Sequence, residues 1–291
     1  MELFKLNEQL GDVVVCVVGD IRDSVHIKDK LFLVNTTTSE FRLLPKGCED
    51  FGGICDIAWS YLDDKVLAVT ETGCVGVFPV FDDRTDPDIW HDEERMTDIA
   101  SARTMSIFAS GSSNGVVQFW DLRSKLSQSF ASCDEPGTEF NHISFSPDDL
   151  FVQCSMEDSR VLVFDTRMLS KPMRVLVHDF QRPEFHREED GVGVTMSRWS
   201  KQGFLFTCGG GGTYKVWDVR RAGVDSLLKT VHAHYSPVSC VDISPDGATV
   251  VSGCDGNRIA LHSIAYDKQI FPPITERHDP LASQLGPLRL P

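Results

Sequence analysis

Apolar and polar residues alternate with a period of two through most of this chain, in short runs closed by Gly, Asp, Ser or Pro. "GICDIAWS", "VLAVT" and "CVGVFPV" follow one another between residues 53 and 80, and "VVQFWD" and "RVLVFD" have the same character. Runs of this kind, bounded by turn residues, predict short β-strands. No segment keeps apolar residues at i, i+3 and i+4 over three turns, so the pattern predicts an all-β chain.

The strands recur as a unit. "VVQFWDLR" places Trp120 before Asp121, Leu122 and Arg123. The same shape returns as "RVLVFDTR" around Phe164 and as "TYKVWDVR" around Trp217, and weaker copies centre on Val34, Phe78 and His262. The six anchors lie 42–53 residues apart. Ten residues before five of them stand the small residues Ala68, Ser110, Cys154, Thr207 and Ser252. Further upstream a serine closes an apolar run, as in "IAWS", "ISFSPDD", "SRWSKQG" and "VDISPDG". Each unit therefore predicts a strand, a Ser-Pro-Asp-Gly-like turn, a second strand, a Gly-rich turn, a third strand ending in an aromatic and an aspartate, and a fourth strand. Four short strands repeated at this period are the signature of radially arranged antiparallel sheets.

These units resemble WD repeats, and the chain resembles a WD-repeat β-propeller over nearly its whole length. We expect the propeller over residues 1–270 and a proline-rich tail over 271–291. In that family a histidine, a small hydroxyl residue, the strand tryptophan and a turn aspartate form a buried hydrogen-bonded staple in each blade. Here no blade shows a complete set. His234 and Ser252 meet His262 in place of the tryptophan; Trp120 and Ser110 have Asn114 for the aspartate; Trp217 and Thr207 have Gly211. Phe164 keeps Asp158 but has Cys154 and no upstream histidine. Blades held mainly by apolar packing are expected, because an incomplete buried network offers less. Six third strands are recognisable, whereas WD propellers most often have seven blades, and a seventh would need roughly 40 residues. The sequence after Ile264, with prolines at 272, 273, 280, 287 and 291, does not read as one. A six-bladed ring, an excised piece of a longer chain and a blade supplied by a partner all remain open.

Composition narrows the function. The 291 residues carry 41% hydrophobic residues, 24% charged residues and a formal net charge of −15. That balance describes a soluble chain and argues against direct nucleic-acid binding, which needs a basic face. No run of 18 apolar residues occurs, and "MELFKLNEQLGD" lacks the apolar core of a signal peptide, so we expect no membrane partner and a nuclear or cytoplasmic location. Nine cysteines include no C-x-x-C pair, and most sit in apolar runs, reading as small buried hydrophobes in a reducing compartment.

Candidate chemistry is sparse. Gly209–Gly212 resembles a phosphate loop only in its glycines: "TYKV" follows, a strand and not the Lys-Ser/Thr that opens a helix. In the repeat these glycines fill the turn between second and third strands. His232 and His234 could pair on a metal, but His234 falls on the repeat's structural histidine, and no nucleophile–base motif is present. We expect no catalysis, no cofactor and no metal.

Two surface features point instead to protein partners. "DDRTDPDIWHDEE" (82–94) holds seven acidic residues, among them Asp82, Asp83, Asp86 and Asp88, around Trp90. It reads as a docking loop for a basic peptide or chromatin protein, with Trp90 exposed as its anchor, on the face of the fourth-to-first strand connections. A second insertion, 179–191, should lie on that face too. The three W/F-D-x-R endings place Arg123, Arg167 and Arg220 after the third strands, on the opposite face, as a basic rim. "FASGSSNGVVQFWDLR" (108–123) resembles the box that docks substrate receptors of cullin-4 ubiquitin ligases onto their damaged-DNA-binding adaptor, with Asn114 in place of the acid. The resemblance implies that Trp120, Trp217 and the three arginines meet an adaptor. A structural scaffold of a coat or nuclear-pore type, accepting a partner's blade, is the alternative.

Overall fold

A computed structural model describes residues 3–6, 13–20, 28–44, 53–81, 85–91, 94–124, 126–131, 138–178, 193–221 and 223–264. Its 23 strands form six antiparallel sheets in chain order. Blade 1 comprises β1 (Leu3–Leu6), β2 (Val13–Asp20), β3 (Lys28–Asn35) and β4 (Phe41–Leu43). Blade 2 comprises β5 (Ile54–Trp59), β6 (Lys65–Thr70), β7 (Cys74–Pro79) and β8 (Asp88–His91). Blade 3 has β9 (Met96–Ser101), β10 (Ile107–Ser112), β11 (Val116–Asp121) and β12 (Leu126–Ala131); blade 4 has β13 (Phe140–Phe145), β14 (Phe151–Met156), β15 (Arg160–Asp165) and β16 (Arg174–Val177). Blade 5 has β17 (Val194–Trp199), β18 (Leu205–Gly209), β19 (Thr213–Trp217) and β20 (Leu227–His232). Blade 6 has β21 (Val238–Ile243), β22 (Thr249–Cys254) and β23 (Arg258–Ser263). The first strand of each blade runs beside the first strand of the next, from β1 through β21, which is the arrangement of a β-propeller.

The serine that follows the first strand of blades 2, 4, 5 and 6 has a local task. Ser60, Ser146, Ser200 and Ser244 each use Oγ to accept the backbone N–H of the residue that starts, or leads into, the second strand, at 2.9–3.1 Å. In three of these turns the hydroxyl also donates to an aspartate, Asp64, Asp148 or Asp246. The turn is thereby satisfied by its own side chains, which is why Ser and Asp recur there.

The core lies between blades. Val117 and Phe119 of blade 3 pack on Phe140, Ile143, Val152 and Phe164 of blade 4. Val161 and Val163 of blade 4 pack on Leu205, Trp217 and Val219 of blade 5, and Tyr214 and Val216 of blade 5 on Val238, Val241 and Val250 of blade 6. Third strands of interior blades are thus buried on both faces, and read as nearly continuous apolar runs rather than alternating ones.

The polar staple is present in part, and more fully than the sequence suggests. In blade 5 Trp217 Nε1 donates to Thr207 Oγ1 at 2.9 Å, and Thr207 Oγ1 lies 3.2 Å from His178 Nδ1. Thr207 Oγ1 accepts the indole N–H, and the two ring nitrogens of His178 bridge Thr207 and Thr213, with Nε2 3.1 Å from Thr213 Oγ1. Thr213 takes the place of the absent aspartate. His178 was not among the expected members; the long connection 179–192 separates it from its blade. Trp120 Nε1 donates to Ser110 Oγ at 2.9 Å in blade 3, and His234 Nε2 pairs with Ser252 Oγ at 2.9 Å in blade 6.

Gly209–Gly212 is a turn, as expected. Gly211 and Gly212 have φ of 72° and 68°, the left-handed region that favours glycine. Gly212 is further constrained: a Cβ there would lie 2.0 Å from the carbonyl oxygen of His234. That carbonyl approaches because Ala233 and His234 donate their backbone N–H groups to Gly212 O.

The cysteine expectation needs one correction. Cys74, Cys154 and Cys208 are buried free thiols, but Cys240 is exposed on β21. The expected tail, 271–291, and Cys16, Cys48 and Cys133 as side chains lie outside the described residues.

Candidate interaction surfaces

The connections fix two ends of the propeller. One end carries the turns from first to second strands and from third to fourth; the other carries the second-to-third turns and the crossings between blades. Arg123, Arg167 and Arg220 all follow third strands, so they stand at the first of these ends, on three consecutive blades.

Each W/F-D-x-R ending folds on itself. Asp121 Oδ1 accepts the Arg123 backbone N–H at 3.0 Å and the Ser106 hydroxyl at 2.7 Å. Asp165 accepts the Arg167 backbone N–H at 3.0 Å, and its two oxygens hold Nε and Nη2 at 2.8 and 2.6 Å. The Arg167 guanidinium pulls the Asp165 carboxyl down to about 2. Asp218 accepts the Arg220 N–H, while Arg220 Nη2 crosses to Asp148 of blade 4 at 3.1 Å. The aspartate is therefore first a turn cap and the arginine its partner. Arg123 and Arg167 still leave 76% of their side chains exposed, and Arg220 46%.

A deeper link joins blades 3 and 4 at this end. Asp149, 2% exposed with φ of 54°, accepts the backbone N–H groups of Arg103 and Thr104 and the Thr104 hydroxyl at 2.6–3.0 Å. No motif flagged it, because it lies one residue beyond the Asp of the Ser-Pro-Asp turn. A cavity of about 370 Å³ runs inward beside it, lined by Asp56, Trp59, Tyr61, Arg103, His142 and Trp199. The Asp56 carboxylate there accepts the N–H of Ile99 from the following blade, and Asp98 of blade 3 accepts that of Ile143 in the same way.

Several expected contacts fall elsewhere. Trp120 and Trp217 are 6% and 4% exposed; their rings belong to the core and are corrected from partner contacts to structural residues. Trp90 is not an exposed anchor: it lies on β8, half-buried, 5.2 Å from the Trp120 ring. Asp86 is exposed in the loop between β7 and β8, and Asp88 is half-buried on β8. That loop joins a third strand to a fourth, so it stands at the same end as the arginines, not opposite. Both charge types meet at one end, and the predicted acidic face against a basic rim is replaced by a charge-compensated end. Asp82, Asp83 and the insertion 179–191 lie outside the described residues.

Among the described residues no group of three or more His, Cys, Asp or Glu is placed to hold a metal, and no helix is long and apolar enough to cross a membrane.

Comparison with known proteins agrees with this architecture. Residues 225–262 match the family model "WD domain, G-beta repeat". Rik1-associated factor 1 of Schizosaccharomyces pombe is 27% identical over 58% of this chain and 26% of its own length. WD repeat-containing protein RUP1 of Arabidopsis thaliana is 27% identical over 57% of the chain and 40% of its own. Histone-binding protein MSI1 of Saccharomyces cerevisiae is 24% identical over 57% and 39%. The chain thus spans well under half the length of these relatives. Among solved structures, the computationally designed Ika8 protein superposes with a TM-score of 0.66 at 18% identity, covering 90% of this chain and 70% of that one.

Proposed function

We propose, on the premise that this chain is a WD-repeat β-propeller, that it serves as a substrate-receptor or adaptor subunit of a cullin-4-type ubiquitin ligase or a related chromatin complex. The coarse role, a platform for binding other proteins, follows from the repeat family and its relatives. The observation that supports the finer reading is the row of Arg123, Arg167 and Arg220, exposed at one end of three successive blades and each within ion-pairing distance of an aspartate. Guanidinium groups match carboxylates in planar geometry, and arginines recur at interface anchors. Two relatives carry names in keeping with this reading: one is named for association with Rik1, another for binding histones. Asp86 and its acidic neighbours in sequence supply the charge that a basic client needs.

The test is R123E/R167E/R220E in the full chain, with pull-down of the cullin-4 adaptor. Loss of recovery by a variant that still unfolds in one cooperative transition supports the reading; full recovery overturns it. A parallel titration with a lysine-rich histone-tail peptide, against the D86K variant, tests the client side. Equal affinity for parent and variant removes that part.

A further inference from the structure

We propose that Ser170 is a phosphorylation site for a serine/threonine kinase that reads an arginine three positions upstream, and that the phosphate draws Arg167 out of the exposed arginine row. Kinases of this class select substrates by charge pattern. An arginine three residues before a serine occurs twice in this chain, as Arg103 before Ser106 and as Arg167 before Ser170. The structure separates the two. Ser106 is 6% exposed, and its hydroxyl donates to Asp121 at 2.7 Å. Ser170 is exposed in the turn between β15 and β16, and its hydroxyl has no hydrogen-bond partner among the described residues. That turn is tied at Met168 and Met173, whose N–H groups bond Asp165 O and Val163 O at 2.9 and 2.7 Å. Ser170 lies between the two ties, where an exposed backbone can extend into a kinase groove.

A second observation comes from the charges around it. Lys171 and Arg174 have no carboxylate partner among the described residues. Arg174 donates only to the carbonyl oxygens of Met173 and Arg221, at 3.0 and 3.4 Å. Arg167 holds Asp165 yet leaves 76% of its side chain exposed. Three cations therefore stand within four residues of Ser170, while no Asp or Glu occurs between Asp165 and Asp179. Half-buried Arg174 without a counter-ion is a charge that an anion beside it would satisfy.

In the transfer, Ser170 Oγ bonds the γ-phosphorus of ATP and the bond from that phosphorus to the bridging oxygen breaks. ADP leaves, and the hydroxyl proton passes to the kinase's catalytic carboxylate. The phosphoryl group brings a charge of about −1.5 to −2 and three acceptor oxygens. Asp165 offers Arg167 one negative charge and the phosphate offers nearly two, so Arg167 exchanges the first for the second. The row of Arg123, Arg167 and Arg220 then loses its middle member and gains an anion. This last consequence rests on the adaptor reading, and it makes Ser170 the switch of that surface: phosphorylation should weaken adaptor binding at least about tenfold.

The full chain is incubated with ATP, Mg²⁺ and calcium/calmodulin-dependent protein kinase II, and the phosphate is located by mass spectrometry. Near-complete modification of Ser170 is expected, with none at Ser106 and incorporation at least about tenfold slower in R167A. A folded chain that stays unmodified at Ser170, while a peptide of residues 163–177 accepts phosphate, overturns the site. Arginine Nε–Hε resonances report the second step. The Arg167 resonance should move on phosphorylation of the parent and stay in place in S170A; an unmoved resonance in the phosphorylated parent overturns the exchange. Pull-down of the adaptor with phosphorylated and unmodified chain reads the consequence, and equal recovery of both overturns it. Failure of the unmodified chain to recover the adaptor counts against the adaptor reading alone, because the first two readouts do not involve it.

Discussion

Replacing His178 should change how stability depends on pH, not only its level. His178 is 0% exposed, fixed between Thr207 and Thr213, and burial together with nearby Lys215 pushes its pKa down to about 3. In the unfolded chain it titrates at its ordinary 6.5. Below pH 6.5 the unfolded state therefore binds a proton that the folded state refuses. Stability is fully present above 6.5 and is lost as pH falls toward 3. From pH 6.5 to 5 the loss from this one group is roughly 1–2 kcal/mol. Carboxylates such as Asp165, held low by Arg167, titrate below this window. His234 is also held low, chiefly by burial, but it is common to parent and variant. H178Q keeps hydrogen-bonding capacity and removes the titration. At pH 7.5 it should cost about 1–3 kcal/mol, the effect of disturbing a buried network. Between pH 6.5 and 5 it should lose less stability than the parent. Urea unfolding at pH 7.5, 6.5 and 5 measures both. Parallel pH curves for parent and variant would refute the assignment of His178 as a neutral staple.

Other consequences are quicker to test. G212A should cost roughly 2–4 kcal/mol, because its Cβ meets the His234 carbonyl as well as a positive φ, whereas G211A should cost about 1; equal melting shifts would contradict this. D149A should destabilise by roughly 2–4 kcal/mol, since the Arg103 and Thr104 donors are left without their acceptor at a part-buried turn; thermal denaturation decides. W217F should cost about 1 kcal/mol or more, as the ring still fills the core but the bond to Thr207 is gone. R123E/R167E/R220E should lower the melting temperature modestly, because it breaks three exposed pairs worth at most about 1 kcal/mol each and sets glutamates beside Asp121, Asp165 and Asp148.

How far the sequence carried depended on whether a feature was local. Trp120-Asp121 and Trp217-Asp218 set the register because each third strand must end where its aspartate caps the next turn, and that cap needs only residues two apart. The Ser-Pro-Asp turns were legible for the same reason. His178 escaped because its partners are 29 and 35 residues away, across a connection whose length broke the repeat's spacing. Trp90 misled because acidic neighbours made it look solvated, while strand alternation put its ring on Trp120. Arg220 looked unpaired because its Asp148 comes from the adjacent blade, whereas Arg123 and Arg167 pair with aspartates two residues away.

The same locality explains why the sequence raised a missing blade without showing which apolar side chains stand uncovered. "RIALHSI" of blade 6 alternates much as an interior third strand does, with Ile259 and Leu261 where blade 5 has Tyr214 and Val216. Burial, however, is a property of a neighbour and not of a residue. In a repeat protein each unit is nearly the same, so its sequence states what kind of neighbour it accepts but not whether one is there. A terminal unit in water would be expected to exchange its outward apolar positions for polar ones, as capping repeats do. Blade 6 has not done so at Ile259 and Leu261, nor has blade 1 at Phe41 and Leu43. Among the described residues both faces keep the composition of an interior interface.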